Sequence, residues 1–139
     1  MNLRRIFFLA ATLGTPPAFA QNAGLACFTP STDISAKIAA CSRNLESKSL
    51  PAGTRALALL ARAEAFVLGG DMDKALADYD AALALTPGDA NTLIARGKLY
   101  ESLGMSEKAE ADYSDAISRD IAAAEAYALR GALRLKRGA

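Results

Sequence analysis

The chain contains no histidine and no tryptophan, and only two cysteines, Cys27 and Cys41, among its 139 residues. Without an imidazole there can be no Ser-His-Asp or Cys-His catalytic unit and no histidine-ligated metal site. The cysteines stand 14 positions apart, far from the C-x-x-C spacing of a redox motif. No alternating strand pattern exists to present a glycine-rich phosphate loop. A formal charge of +1 gives neither the basic field of a nucleic-acid binder nor the acidic excess of a solvated tail. Paired carboxylates do occur, at Asp71 and Asp73 and at Asp78 and Asp80. A helix start and a solvated helix face account for them. The basic end at Arg130, Arg134, Lys136 and Arg137 suits a helix C-terminus, with a phosphate or lipid-headgroup contact as the alternative. The expectation is a non-enzyme with no catalytic residue, no cofactor and no metal.

Long apolar runs are also missing. The one run near the start, Ile6 to Leu13, is much shorter than the roughly 20 residues a bilayer requires. It follows Arg4 and Arg5 and precedes Ala18-Phe19-Ala20, so residues 1–20 read as a signal peptide cleaved before Gln21. The arginine pair also resembles a twin-arginine export signal, so the export route stays open. The mature chain is expected to be periplasmic or secreted, with no integral membrane span. In that setting an even cysteine count favours a Cys27–Cys41 disulfide, whose loop closure would contribute about 3 kcal/mol. A lipid anchor on Cys27, after Leu25-Ala26, and a pair of free thiols are the alternatives.

What the chain does have is a period. Arg62-Ala63, Arg96-Gly97 and Arg130-Gly131 recur every 34 residues, as do Gly70, Gly104 and Gly138. Ala75, Asp78, Tyr79 and Ala82 repeat at the same interval as Ala109, Asp112, Tyr113 and Ala116. Residues of different chemistry keeping one register imply a structural repeat. The units fall at 56–89 and 90–123, with a half unit or capping helix at 124–139. Each unit reads as two helices. Leu59, Ala63 and Phe66 form one buried stripe, Gly69-Gly70 stops that helix, and Asp71 caps the next. Ala75, Tyr79, Ala82 and Leu83 form the second stripe, stopped at Thr86-Pro87-Gly88-Asp89. Leu93, Gly97, Tyr100, Ala109, Tyr113, Ala116 and Ile117 repeat the plan. Neither helix pair can bury both faces alone, so the units must stack.

This pattern of large, small and aromatic residues, then alanine, aromatic, alanine and a terminal proline, resembles the tetratricopeptide family over 56–139. Ile121 departs from it by replacing the proline, and arginine replaces the usual leucine at Arg62, Arg96 and Arg130. The resemblance implies an all-α fold, a short right-handed solenoid of antiparallel helix pairs with about two and a half repeats. In segment 21–55, Ile34, Ile38, Cys41 and Leu45 mark a degenerate second helix, with Cys41 in the slot of Tyr79 and Tyr113. Four extra residues are then expected in the connection between Ser47 and Gly53. This arrangement resembles small tetratricopeptide proteins exported by alphaproteobacteria, in which the disulfide would tie the N-terminal segment over the first helix.

Arginine at a family leucine position needs a partner. The recurrence of Asp78 and Asp112 implies a structural ladder of Arg62, Asp78, Arg96, Asp112 and Arg130, with an acidic ligand as the alternative. Leucine in place of Arg96 is expected to be tolerated where the stranded aspartate can reach water. In the family the first helix of each unit lines a concave groove, placing Leu57, Leu60, Glu64, Asn91, Ile94, Lys98, Glu125 and Ala128 at the candidate partner-binding site. With Lys98 the one obvious cation there, no clamp for a peptide carboxylate is expected. Leu57, Leu60 and Ile94 suit the apolar side of a partner helix or extended segment. Cover by segment 21–50 or by a second copy is the alternative. The expected function is therefore a non-catalytic protein–protein adaptor whose partner is a protein and not nucleic acid. A homodimer, or a structural subunit of an envelope complex needing no groove, is the rival.

Overall fold

Asp33, Asp71 and Asp89 each precede an apolar-periodic run, and each turns its carboxylate onto the first free amides of a helix. Asp33 accepts from the Ala36 N–H at 2.9 Å, and Asp89 from the Thr92 N–H at 2.8 Å. Asp71 accepts from the Lys74 N–H at 3.4 Å. These caps open three of the six α-helices in a computed structural model of the protein, which describes residues 24–119 and 123–138. The expected signal segment 1–20 and Ile121 lie outside the described residues.

After a 3-10 turn at Leu25–Cys27 come α1 (Ile34–Glu46), α2 (Ala52–Gly69), α3 (Met72–Leu85), α4 (Ala90–Ser102), α5 (Ser106–Arg119) and α6 (Ala124–Lys136). The described residues contain no strand. Consecutive helices pack on one another, which makes the chain an all-helical solenoid of stacked pairs. The two tight turns within pairs use glycine in the left-handed region, at φ 81° for Gly70 and 75° for Gly104. The Asp71 N–H then reaches back to the Phe66 carbonyl at 2.9 Å, and the Met105 N–H to that of Tyr100 at 2.8 Å. A six-to-one bond of this kind satisfies a carbonyl the helix end would leave open.

Small residues set the spacing between helices. Ala63 and Ala75 are fully buried in a cluster with Tyr79 and Leu99, and Ala109 in another with Tyr113 and Leu133. The extra residues before the first full unit sit mainly in α2 and not in the connection. That helix begins at Ala52, about one turn earlier than the 34-residue period requires. Arg55, on this added turn, donates to the carbonyls of Leu45 at 2.8 Å and Ser47 at 2.6 Å, closing the end of α1. Proline at position 51, with φ −55°, starts the longer helix without cost, since its missing N–H would have had no helical partner.

The sulfurs of Cys27 and Cys41 lie at bonding distance, 2.14 Å, and both residues are fully buried beside Ala40 and Ala58. A sulfur engaged in this way is not available to a lipid. The link holds the 3-10 turn against α1 and α2, helped by an Asn44 side-chain amide donating to the Gly24 carbonyl at 2.9 Å.

Candidate protein-binding cleft

Along one side of the stack the first helices of successive units are neighbours: α2 touches α4, and α4 touches α6. Between them opens a cleft of about 700 Å³. Helical spacing places Leu60, Glu64, Val67 and Leu68 on one face of α2, and Asn91, Ala95, Lys98 and Ser102 on one face of α4. Tyr79 from α3 and Leu99 lie at its floor, buried, and Glu125 contributes from the first turn of α6.

Six of the eight residues expected at the groove line this cleft: Leu60, Glu64, Asn91, Ile94, Lys98 and Glu125. Leu57 and Ala128 do not. Both are exposed, but the cleft runs obliquely from the later turns of α2 across α4 to the start of α6, leaving them beyond its two ends. The small rotation between stacked units produces such a slant. Ile94 needs a larger correction as an anchor. It is only 7% exposed and belongs to the core cluster with Leu83, Leu93, Ala123 and Ala126. The α6 helix covers it. Leu68, 72% exposed, is the open apolar side chain of the wall. Val67, Tyr79 and Leu99 also line it, which periodicity alone does not distinguish from packing in the core. The described part of segment 21–50 contributes nothing to the lining.

The charges in the cleft are unequal in status. Lys98 is joined to Glu125 by a salt bridge across α4 and α6, so its charge is already met. Glu64 is exposed and has no cationic partner among the described residues. Burial, and after it the Glu64 charge, pushes the Tyr79 phenol up to about 12. The cleft thus presents an apolar wall, one acidic charge and a closed ion pair. Among the described residues no cluster is placed to hold a metal ion.

The recurring arginines lie outside the cleft. Arg62 forks Asp78 through Nε and Nη2 at 2.7 and 2.8 Å, and its Nη1 donates to Ser42 at 3.0 Å. Arg96 forks Asp112 at 2.9 and 2.7 Å and sends Nη1 to Asp80 at 2.6 Å. Arg130 sends Nη1 to Ser114 at 3.1 Å. Each guanidinium therefore binds backward to the preceding pair, and the first two also bind forward to an aspartate of their own pair. Ser42, Asp80 and Ser114 share this backward role, and Ser42 directly follows Cys41 as Asp80 follows Tyr79. Forked bonding to Asp112, ahead of the cost of burial, raises the Arg96 pKa above its ordinary value. Each arginine also lies over an aromatic ring, at 5.8 Å for Arg62 and Phe66 and 5.6 Å for Arg96 and Tyr100. Asp112 is 4% exposed and cannot turn to water, so the expected tolerance of leucine at position 96 is reversed.

Residues 63–104 match a family model described as TPR repeat, and residues 90–120 match one described as Tetratricopeptide repeat. These two stretches, from α2 to the end of α5, are tetratricopeptide repeats. Among curated proteins no sequence matches the chain. Repeats of this kind point to protein–protein interaction, and the family is generally non-catalytic. No helix among the described residues is long and apolar enough to cross a membrane.

Proposed function

We propose that the chain is a non-catalytic adaptor, exported to an oxidising compartment such as the periplasm, that holds a segment of a partner protein in the α2–α4 cleft. The observation that carries this is the cleft itself, with Leu60, Val67 and Leu68 on an open wall and one acidic residue, Glu64, beside them. An apolar segment with a basic residue near its middle would bury that wall and meet that charge. The pairing of Lys98 with Glu125 removes the cation that a carboxylate clamp would use. The bonded cysteines support the oxidising compartment, where such links persist.

The test is affinity capture from envelope extract with Leu60→Asp and Leu68→Asp variants whose helicity and melting match the parent. Loss of the captured partners in both variants supports the reading. Recovery of the same partners at parental levels by both folded variants overturns it.

A further inference from the structure

The face that Leu59, Arg62, Ala63 and Phe66 present to α3, and that Leu93, Arg96, Gly97 and Tyr100 present to α5, recurs on α6 as Tyr127, Arg130, Gly131 and Arg134. On α6 no second helix covers it among the described residues. Leu93 is 3% exposed under α5, while Tyr127, its counterpart, is 46% exposed. A Cβ on Gly97 would lie 2.6 Å from the Tyr113 ring, while one on Gly131 would meet nothing within 4 Å. The Arg130 guanidinium is held in register by Ser114 and lies 5.7 Å from the Tyr127 ring. Its Nε and Nη2, the pair that forks an aspartate in both earlier units, meet no carboxylate among the described residues.

What fits such a face is visible twice in the same molecule. Both α3 and α5 carry Ala-x-x-Asp-Tyr-x-x-Ala, as Ala75, Asp78, Tyr79, Ala82 and as Ala109, Asp112, Tyr113, Ala116. The alanines permit close approach, the aspartate takes the fork, and the tyrosine lies over the small residue. We infer that the outer face of α6 is a second docking seat, separate from the cleft, which takes an acidic amphipathic helix of this type from another protein. A second copy of this chain does not qualify. Its α3 and α5 already have their aspartates buried, at 7% and 4% exposure, and α1 has Ala40 at the aspartate position. Among the described residues, both aspartates set in this alanine-tyrosine pattern are thus already engaged by arginines.

The probe is a synthetic peptide with the sequence of residues 106–119, locked as a helix by a side-chain lactam on its outward face and titrated into isotope-labelled full chain. The expected result is saturable shifts at Tyr127, Arg130 and Gly131 with the cleft residues unmoved. The peptide with Asp112→Asn should bind about tenfold more weakly or worse, the usual loss when a charge-assisted fork is broken. On the protein side, Gly131→Phe fills the tyrosine's place in open space, so it should abolish binding without lowering the melting temperature. Absence of binding by the locked peptide overturns the inference. So does binding indifferent to both changes, shifts confined to α4 or the cleft, or a concentration-dependent dimer of the chain that Gly131→Phe dissolves.

Discussion

Replacing Gly97 by alanine places a methyl 2.6 Å from Cε1, 2.9 Å from Cδ1 and 3.3 Å from Cζ of Tyr113. The ring cannot easily withdraw, because Tyr113 is fully buried and its hydroxyl is tied to Glu101 at 3.2 Å. Two effects of opposite sign then compete. Alanine in a helix interior is favoured over glycine by about 0.8–1 kcal/mol. Forcing a methyl into a filled core costs about 1–3 kcal/mol, and contacts this short belong at the upper end of that range. The net expectation is a loss of about 1–2 kcal/mol, the upper part of the packing cost less the helix-forming gain. Gly131 holds the same repeat position with nothing near it, so only the helix-forming gain remains there, and Gly131→Ala should stabilise by about 0.5–1 kcal/mol. Urea unfolding of the two variants, followed by far-ultraviolet circular dichroism, measures both signs in one experiment. Stabilisation by alanine at both positions would refute the account of how α4 and α5 pack.

Arg96→Leu should destabilise by about 2–4 kcal/mol by stranding the Asp112 carboxylate, and the double variant Arg96→Leu/Asp112→Leu should recover most of that loss in the same unfolding assay. Asp78→Leu should cost more than Asp112→Leu in thermal melting, because Arg62 then keeps only Ser42 whereas Arg96 keeps Asp80. Reduction of Cys27–Cys41 should lower stability by about 3 kcal/mol, read as a shift in urea midpoint with and without dithiothreitol. The Tyr79 phenol is raised by burial from 10.0 to about 12, and Tyr113 is raised in the same direction, again by burial first. A raised acid stabilises the fold fully below its unfolded pKa. Stability should therefore hold up to about pH 10 and fall as pH approaches 12. Tyr79→Phe should flatten that fall in a pH series of melting temperatures.

The parts of the fold that were legible in the sequence are those with a local cause repeated at one spacing. Glycine at 70 and 104 and alanine or glycine at 63 and 97 answer to a turn or a close approach and recur 34 residues apart, and aspartate at 71 answers to a cap, so these positions locate the helices. The cleft was legible on α2 and α4 for the same reason. It was less so at Ile94, whose burial depends on how closely the half unit α6 lies over α4, and no spacing within α4 records that. The Lys98–Glu125 pair spans 27 positions and two units, which a 34-residue period does not bring to notice. The backward partners of the arginines escaped for a different reason. Ser42, Asp80 and Ser114 share a role but not a chemical type, and Asp80 had an adequate reading as a solvated acid. Tyr79 and Leu99 are not told apart from packing residues by periodicity, because a side chain at the floor of a cleft follows the same stripe as one in a core.

A partner lying along the α2–α4 wall must touch side chains on that side of the stack and not those on the outer side of α3. A photo-crosslinking amino acid placed singly at Leu68, at Ser102 and at the exposed Asp73 on α3, in cells that export the protein, tests it most directly. The expected result is one partner crosslinked from positions 68 and 102, through the same apolar segment of that partner, and none from 73. A partner captured from position 73 and from neither cleft position would contradict it.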